Sequence, residues 1–461
     1  MSAPGVTPDP PLVEPTGVGS PARDPDPVGS AGVTDSSAPV APHLLPDGAA
    51  TGPTGGLTIA GVDVLDLCRE LGTPLFLYDE DHLRRRCREA VEAWGPGVAY
   101  ASKAFLCKEM ARLAWQEGMS IDVSTGGELH VALAAGVPGE WLVLHGNNKS
   151  GAELTAALTA GVGRIVVDSF DELDRLAALG PRLGVRPDVL LRVTPGVEAH
   201  THEYVRTGQD DSKFGFGLAS GAAAAAVERA RRSDSGVELV GLHAHIGSQI
   251  FALDSFRKAM GILAGFFRPL GLPELCLGGG LGVAYVAGEP TPSIGDWAAV
   301  ARQAAAEAGI PDDVGLSAEP GRAIVAAAAI TCYTVGTIKD LPGIRTYVSV
   351  DGGMSDNPRP VLYGSGYEAF LPRAPGAPRP RTATIVGKHC ESGDVIVRDA
   401  RVPADLAVGD VVATPVTGAY GHSMASNYNK VPRPPVVFAC DGVARVVVRR
   451  ETFEDLLVLD I

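Results

Sequence analysis

Between residues 97 and 322 the sequence alternates short β-type runs with helical stretches, and the runs number eight. They are VAYAS (98 to 102), SIDVS (120 to 124), WLVLHG (141 to 146), RIVVDS (164 to 169), VLLRVTP (189 to 195), LVGLHAHIG (239 to 247), ELCLGGG (274 to 280) and VGLSAEPG (314 to 321). Eight strands with helices between them, over about 225 residues, are the arithmetic of a closed parallel (β/α)8 barrel. The helical stretches agree: in DSFRKAMGILAGFFRPL (254 to 270), Phe256, Met260, Leu263 and Phe267 recur at spacings of three and four and make one apolar face to cover the barrel. Each strand ends in polar or glycine residues, namely Lys103, Ser124, His145, Asp168, Arg192, His245, the glycines 278 to 280 and Glu319. A structural ring would carry Val and Ile there, so this end reads as a catalytic face.

The flanks have a different texture. After about residue 328 come β-runs without helices between them, from TCYTVGTI to ARVVVRR, separated by turn signals, which predicts a β domain over 328–461 built as an antiparallel barrel or sandwich. Thr452 with Asp455 three residues on predicts a short closing helix with a capping box. Residues 53–78, including TPLFLY (73 to 78), precede the barrel at 79–327 and are expected to pair with the β domain. Residues 1–52, rich in Pro, Gly, Ala, Ser and Asp with few periodic apolar positions, are expected to be a disordered tail.

Composition excludes several functions. A net charge of −15 without a basic patch argues against nucleic acid as a partner, since RRRCR (84 to 88) reads as one solvated helix face. No apolar stretch approaches 18 residues and the N-terminus lacks a secretion signal, so neither membrane nor export is expected. The seven cysteines (68, 87, 107, 276, 332, 390 and 440) are scattered and never in a C-x-x-C pair, which fits reduced thiols in the cytoplasm and implies no zinc site.

Four strand ends carry chemistry. Lys103, in YASKAF (100 to 105), lies among Val98, Tyr100 and Phe105, where a free ammonium is costly; its pKa falls, its nitrogen is covalently capped, or its head reaches solvent or a carboxylate. GGGLG (278 to 282) lets backbone N–H groups approach an anion, or is only a tight turn. HAHIGSQ (243 to 249) puts His243 and His245 on one side of a strand, as metal ligands lacking partners, satisfied core histidines, or a ring stacked on a flat cofactor. EPGR (319 to 322) offers an ion pair between Glu319 and Arg322, or a carboxylate for another partner. Pyridoxal phosphate needs a lysine for its aldehyde, a phosphate cradle, a ring-stacking group and a carboxylate at its pyridine nitrogen, and these strand ends offer all four.

With these motifs the chain resembles the fold-type III pyridoxal-phosphate-dependent decarboxylases, and among them the branch acting on diaminopimelate. The resemblance runs from about residue 55 to 460, through YASKAF, IDVSTGGEL, HGNNKS, GVEAHTHEY (196 to 204), KFGFG, HIGSQ, GGGLG, EPGR, DGGMSDNPRPVLY (351 to 363), GKHCESGD (387 to 394) and GAY (418 to 420). It implies an alanine-racemase-like barrel with Lys103 bonded to the cofactor aldehyde, Glu319 at the pyridine nitrogen and His245 against the ring face. It further implies Ser248, Gly279, Gly280, Gly321, Arg322 and Tyr420 around the cofactor, and Arg322, Arg359, Tyr363 and Tyr420 on the substrate. Glu391 would meet the distal ammonium and Cys390 would protonate the substrate carbon, both reaching the site of the other subunit in a homodimer. A bottom-up reading of Cys390 supports this, because it lies between His389 and Glu391 in a glycine-flanked polar loop, although a buried structural thiol is the bland alternative.

The expected reaction is decarboxylation of meso-2,6-diaminopimelate to L-lysine, without a metal. The rival within the family is a decarboxylase of ornithine, arginine or a carboxylated polyamine, and Arg359 argues against it, since a guanidinium suits a second carboxylate and repels a bare terminal ammonium. A racemase lacks its own motifs here, and a cofactor-binding protein without turnover would have no need of the β domain. The 50-residue tail has no counterpart in the resemblance, and GHSMASNYN (421 to 429) after Tyr420 reads as a variant of its pattern in which His422 has no assigned role.

Overall fold

The structure, a computed structural model, describes residues 38–197 and 212–461. All eight runs form strands: Ala99–Ala101, Ser120–Val123, Leu142–Leu144, Arg164–Val167, Asp188–Thr194, Glu238–His243, Glu274–Cys276 and Gly315–Ser317. Each pairs in parallel with the next in chain order. The first and last meet where Ala99 N donates to Ala318 O at 3.0 Å and Ala101 N to Pro320 O at 3.2 Å, so the barrel is closed.

Capping residues sit directly behind several strand ends. Thr125, Ser150 and Ser169 each accept a backbone N–H of the following helix, and Ser150 with Glu153 forms a full capping box. A cap placed this soon after a strand fixes the loop between them and leaves the polar strand-end residues little freedom. Outside the strands, the helix Asp254–Phe267 buries Phe256, Met260, Leu263 and Phe267, the face expected from their spacing. Trp297 is fully buried against Trp94 and Phe256, with ring centroids 4.8 and 5.1 Å away. All three rings sit on helices of the outer layer, and truncating such a side chain to Ala costs about 3–5 kcal/mol, so this contact ties neighbouring helices to one another. Inside the lumen, Val166, Leu190 and Cys276 form a small separate core below the polar mouth.

The β domain comprises Ala329–Leu341, Arg345–Val350, Arg381–Val386, Val395–Val402, Val411–Pro415, Val436–Cys440 and Val443–Val448. The strand Leu75–Asp79, from the TPLFLY run before the barrel, lies between Ala329–Leu341 and Val436–Cys440 with all five residues buried. The sheet is mixed rather than purely antiparallel: Leu75–Asp79 runs parallel to Val436–Cys440, and Arg345–Val350 parallel to Arg381–Val386. In both cases a long excursion separates the partners, and only long connections return a chain in the same direction, whereas turn signals between neighbouring runs speak only for hairpins.

Two further expectations are corrected. The stretch 38–52, assigned by composition to the tail, is anchored: Val40 and Leu44 are buried, and Ala49–Thr51 pairs with Leu57–Ile59. Arg379 Nε donates to Ala38 O at 2.9 Å and Gly48 N to Asp79 Oδ2 at 2.7 Å. Isolated apolar residues give no periodic signal, yet two of them suffice when each finds a pocket. The closing helix at Thr452 is a single 3-10 turn, Asp455–Leu457, although the capping-box contacts exist, with Thr452 N 2.8 Å from Asp455 Oδ2 and Asp455 N 3.3 Å from Thr452 Oγ1. Residues 1–37 and most of GVEAHTHEY lie outside the described residues. Among those described, no helix is long and apolar enough to cross a membrane.

Candidate active site

At the C-terminal mouth of the barrel the polar strand ends line a cavity with two lobes. The inner lobe, about 340 Å³, is bounded by Asp122, His145, Arg192, His243, Gly279, Gly280, Glu319 and Gly321. The outer lobe, about 380 Å³, is bounded by Gln249, Tyr285, Glu289, Arg359 and Tyr363. Lys103, His245, Ser248, Arg322 and Tyr420 line both lobes and mark where they join. A larger cavity of about 680 Å³ lies at the opposite strand ends, where Arg164 is tied to Glu274 and Asp188 at 2.9 and 3.0 Å.

Lys103 is not in the strand and not buried. The strand ends at Ala101, and one 3-10 turn, Ser102–Ala104, swings the lysine side chain into the cavity while Ser102 and Ala104 stay fully buried. The apolar neighbours seen in the sequence pack behind the turn instead of around the ammonium. The turn is held from the β domain, since Tyr420 N donates to Ala104 O at 2.8 Å and Ser423 Oγ to the same oxygen at 3.3 Å.

Glu319 and Arg322 do not pair with each other. Glu319 Oε1 lies 2.9 Å from His145 Nε2, and Oε2 lies 3.0 Å from His243 Nε2. The Cys276 thiol is 3.5 Å from Oε1. Burial alone would raise the Glu319 carboxyl, but His145 and His243 outweigh it and hold it well below the usual carboxylate range. For His145, burial works against the charge and is overcome by Asp122 and Glu319, so its pKa rises. Burial pushes His243 down to about 4, and burial with the nearby Lys103 pushes His245 well below the ordinary imidazole value. The floor therefore holds a Glu319 carboxyl kept in its ionised form between His145, whose pKa is raised, and a neutral His243, with a neutral His245 on the same lobe. His145, His243 and Glu319 bring three ligand-type atoms within 4.8 Å of one another, a closeness these hydrogen-bond distances explain.

The glycines are needed where loops cross. A Cβ on Gly279 would lie 2.3 Å from Glu319 O, one on Gly280 (φ 117°) 2.3 Å from Gly247 O, and one on Gly321 2.8 Å from Ala101 O. Ile250 N donates to Gly280 O and Gly282 N to Ile250 O, both at 2.9 Å, which locks the loops after the sixth and seventh strands together. His245 Nδ1 accepts from Gly279 N at 3.2 Å, which fixes its ring. Ser248 Oγ accepts from Arg322 Nη2 at 2.9 Å, and Arg322 Nε is buried without a partner. A bare-backbone cradle beside a serine and an underused guanidinium suits a phosphate, and Lys103, His245 and Glu319 all line the same lobe. The residues present thus fit pyridoxal phosphate.

In the outer lobe, Arg359 is buried and donates from Nη1 to Tyr367 Oη at 2.7 Å, and Arg322 donates from Nη1 to Tyr285 Oη at 2.6 Å. Tyr363 lines the lobe at the end of the short helix Arg359–Tyr363. Cys390 and Glu391 are not brought in: neither lines either lobe, and Cys390 is exposed, which removes the reading of a buried structural thiol. Their loop is nonetheless shaped. Asp394 Oδ2 accepts from His389 N at 2.9 Å and lies 2.7 Å from His389 Nδ1, Asn429 Oδ1 accepts from Cys390 N at 3.0 Å, and Tyr428 Oη donates to the Glu391 carboxylate.

Sequence reasoning missed Asp122, Tyr285, Tyr367 and Asn429, and noted His145 only as one polar strand end among several. Asp122 was hidden mid-strand and burial raises its pKa to about 7. Lys149, in the HGNNKS motif, is structural: its ammonium is buried on Glu172 at 2.7 Å and donates to Gly146 O and Val166 O. His422, unassigned from sequence, packs edge-on against Phe76 and Phe105, behind the lysine turn.

Known proteins resemble the chain over most of its length. The family model for the pyridoxal-binding domain of pyridoxal-dependent decarboxylases matches residues 80–326. The diaminopimelate decarboxylase of Mycobacterium tuberculosis is 50% identical over 443 residues, 92% of this chain and 98% of that protein. That of Bacillus subtilis is 45% identical over 432 residues, 88% of this chain and 95% of that protein. Among solved structures, the M. jannaschii diaminopimelate decarboxylase in complex with L-lysine superposes with a TM-score of 0.82 at 32% identity, covering 90% of this chain and 98% of that one. The lysine/ornithine decarboxylase of Vibrio vulnificus, at 24% identity and a TM-score of 0.70 over 82% of this chain and 98% of that one, shares the fold.

Proposed function

The chain belongs to the pyridoxal-dependent decarboxylase family, among its diaminopimelate decarboxylases, and from that membership we propose that it converts meso-2,6-diaminopimelate to L-lysine and carbon dioxide, the last step of lysine biosynthesis. The observation that carries the substrate assignment is the pair of guanidiniums, Arg322 and Arg359, on one lobe that opens off Lys103. A substrate with a bare terminal ammonium, as in ornithine or a polyamine, would meet two positive charges there, whereas the distal carboxylate of diaminopimelate is met by both.

Pyridoxal phosphate, when bound, supplies an electron sink for the bond that breaks beside the amine. Lys103, which reaches both lobes, would hold the cofactor at its aldehyde carbon. The ionised Glu319, flanked by His145 and His243, keeps a proton on the pyridine nitrogen. His245 would lie against the ring, and Ser248, Gly279, Gly280, Gly321 and Tyr420 would hold the phosphate. Arg322, Arg359 and Tyr363 grip the distal carboxylate of the substrate.

The proton that replaces carbon dioxide comes from Cys390, and Glu391 meets the distal ammonium, in both cases from a second copy of the chain. The exposure of their loop, together with its ordering by Asp394, Asn429 and Tyr428, supports a loop built to fit another surface. The functional unit is then a homodimer with shared sites. Seven scattered cysteines, none paired among the described residues, support a reducing cytoplasmic setting.

Carbon dioxide release by the cofactor-loaded protein, measured across meso-diaminopimelate, ornithine, arginine and carboxylated polyamines, tests the reaction. Release from meso-diaminopimelate alone is expected; turnover of ornithine or arginine without it would overturn the assignment.

A further inference from the structure

Two arginines facing one small lobe repel each other, so something must hold them together before a substrate arrives. Tyr285, on the loop after the seventh barrel strand, is placed to do so. Its hydroxyl accepts from Arg322 Nη1 at 2.6 Å, and the guanidinium of Arg359 lies over its ring, 4.2 Å from the centroid. Tyr367 completes the arrangement: its ring meets that of Tyr285 edge-on at 5.3 Å, and its hydroxyl accepts from Arg359 Nη1 at 2.7 Å. The loop that carries Tyr285 is itself tied down, because Glu289 Oε2 accepts from Tyr285 N at 2.6 Å and from Val286 N at 3.3 Å.

We propose that Tyr285 is the positioning residue that sets specificity for a distal carboxylate, by presenting the Arg322 and Arg359 guanidiniums side by side toward the outer lobe. The proposal rests on the reading of that lobe as the substrate's. Two separate physical effects act through one side chain. The phenol oxygen fixes Arg322 by a charge-assisted hydrogen bond, and the ring's negative face offsets the charge of Arg359 in a buried place. Neither effect touches the bond that breaks. Loss of Tyr285 therefore weakens binding of the carboxylate end more than it slows the chemical step.

The test uses the cofactor-loaded protein with Tyr285→Phe, which removes the oxygen and keeps the ring, and Tyr285→Leu, which removes both. Steady-state decarboxylation of meso-diaminopimelate is read together with competition by two unreactive probes: pimelate, which has the carboxylates without amines, and cadaverine, which has amines without carboxylates. Loss of one charge-assisted hydrogen bond predicts that Tyr285→Phe raises KM and the pimelate inhibition constant by about tenfold, more than kcat falls. Tyr285→Leu should raise both further, while cadaverine inhibition stays within about twofold, a split that general loosening of the fold would not give. Equal weakening of pimelate and cadaverine, or no change for pimelate in Tyr285→Phe, would overturn the proposal. Absence of turnover on meso-diaminopimelate by the unsubstituted protein would instead strike the reaction assignment, so the two failures are told apart.

Discussion

His145 Nε2 lies 2.9 Å from Glu319 Oε1, with both side chains buried at the floor of the barrel mouth. His145 and His243 together hold this carboxyl ionised against the cost of burial, and the His145 contact joins the third barrel strand to the eighth across the lumen.

Removing one partner of such a pair leaves the other charge unpaired. His145→Ala is expected to cost about 3–5 kcal/mol of unfolding free energy, measured by guanidinium denaturation, because breaking a buried ion pair costs more than the pair contributes net. Glu319→Gln keeps the shape and loses the charge, and kcat should fall by about a hundredfold or more through lost electrostatic stabilisation. A His145→Ala protein within 1 kcal/mol of the parent, as an order of magnitude, would mean that the contact carries no charge.

Lys103 enters the cavity on one 3-10 turn, so its substitution should leave the fold intact. Lys103→Ala is expected to abolish the visible absorption of bound pyridoxal phosphate together with carbon dioxide release, while circular dichroism stays unchanged. Retention of the visible band would remove Lys103 from its assigned role.

The placement of Cys390 outside the cavity makes a mixing experiment decisive. Lys103→Ala and Cys390→Ala homodimers should each be inactive or nearly so, yet after subunit exchange a mixture should recover about a quarter of parental activity, because half the dimers then hold one intact site. No recovery, with exchange shown by mass, would place lysine and cysteine on the same chain's site.

The barrel was legible because strand period, helix period and polar strand ends all agreed over one long stretch. The lysine's surroundings were not, since Val98, Tyr100 and Phe105 describe the back of a turn whose direction no periodicity encodes. His145 and Glu319 were both visible as strand ends, but their partnership depends on which side chains meet across the lumen. Tyr285 and Tyr367 sit in loops, where an aromatic residue gives no signal until the chain is folded around it. The Val40 and Leu44 anchor was missed for a related reason: two apolar residues in a Pro-rich run make no pattern.

Acid should weaken the fold through its buried neutral histidines. Burial, with Arg433 opposing protonation and Glu451 favouring it, lowers the His422 pKa to about 4 against Phe76 and Phe105. A folded value below the unfolded one of about 6.5 means that the unfolded chain binds the proton first. Stability from this residue is thus complete above pH ~6.5 and is lost as pH falls toward 4, by about 3 kcal/mol in all. Guanidinium midpoints of the parent and His422→Phe at pH 7 and 4.5 should show a shallower acid loss in the variant; parallel losses would mean that His422 titrates normally.

The strand Leu75–Asp79 has consequences for how the chain is made. It leaves the ribosome before the barrel, yet the neighbours on both its sides, Ala329–Leu341 and Val436–Cys440, are synthesised after it. Throughout translation of the barrel this apolar segment waits with its backbone groups unsatisfied, open to annealing with any nascent strand nearby. A message cut short after the barrel would therefore release a polypeptide prone to clumping, not a smaller working enzyme, and the strands that arrive after the barrel act as the seal on this segment.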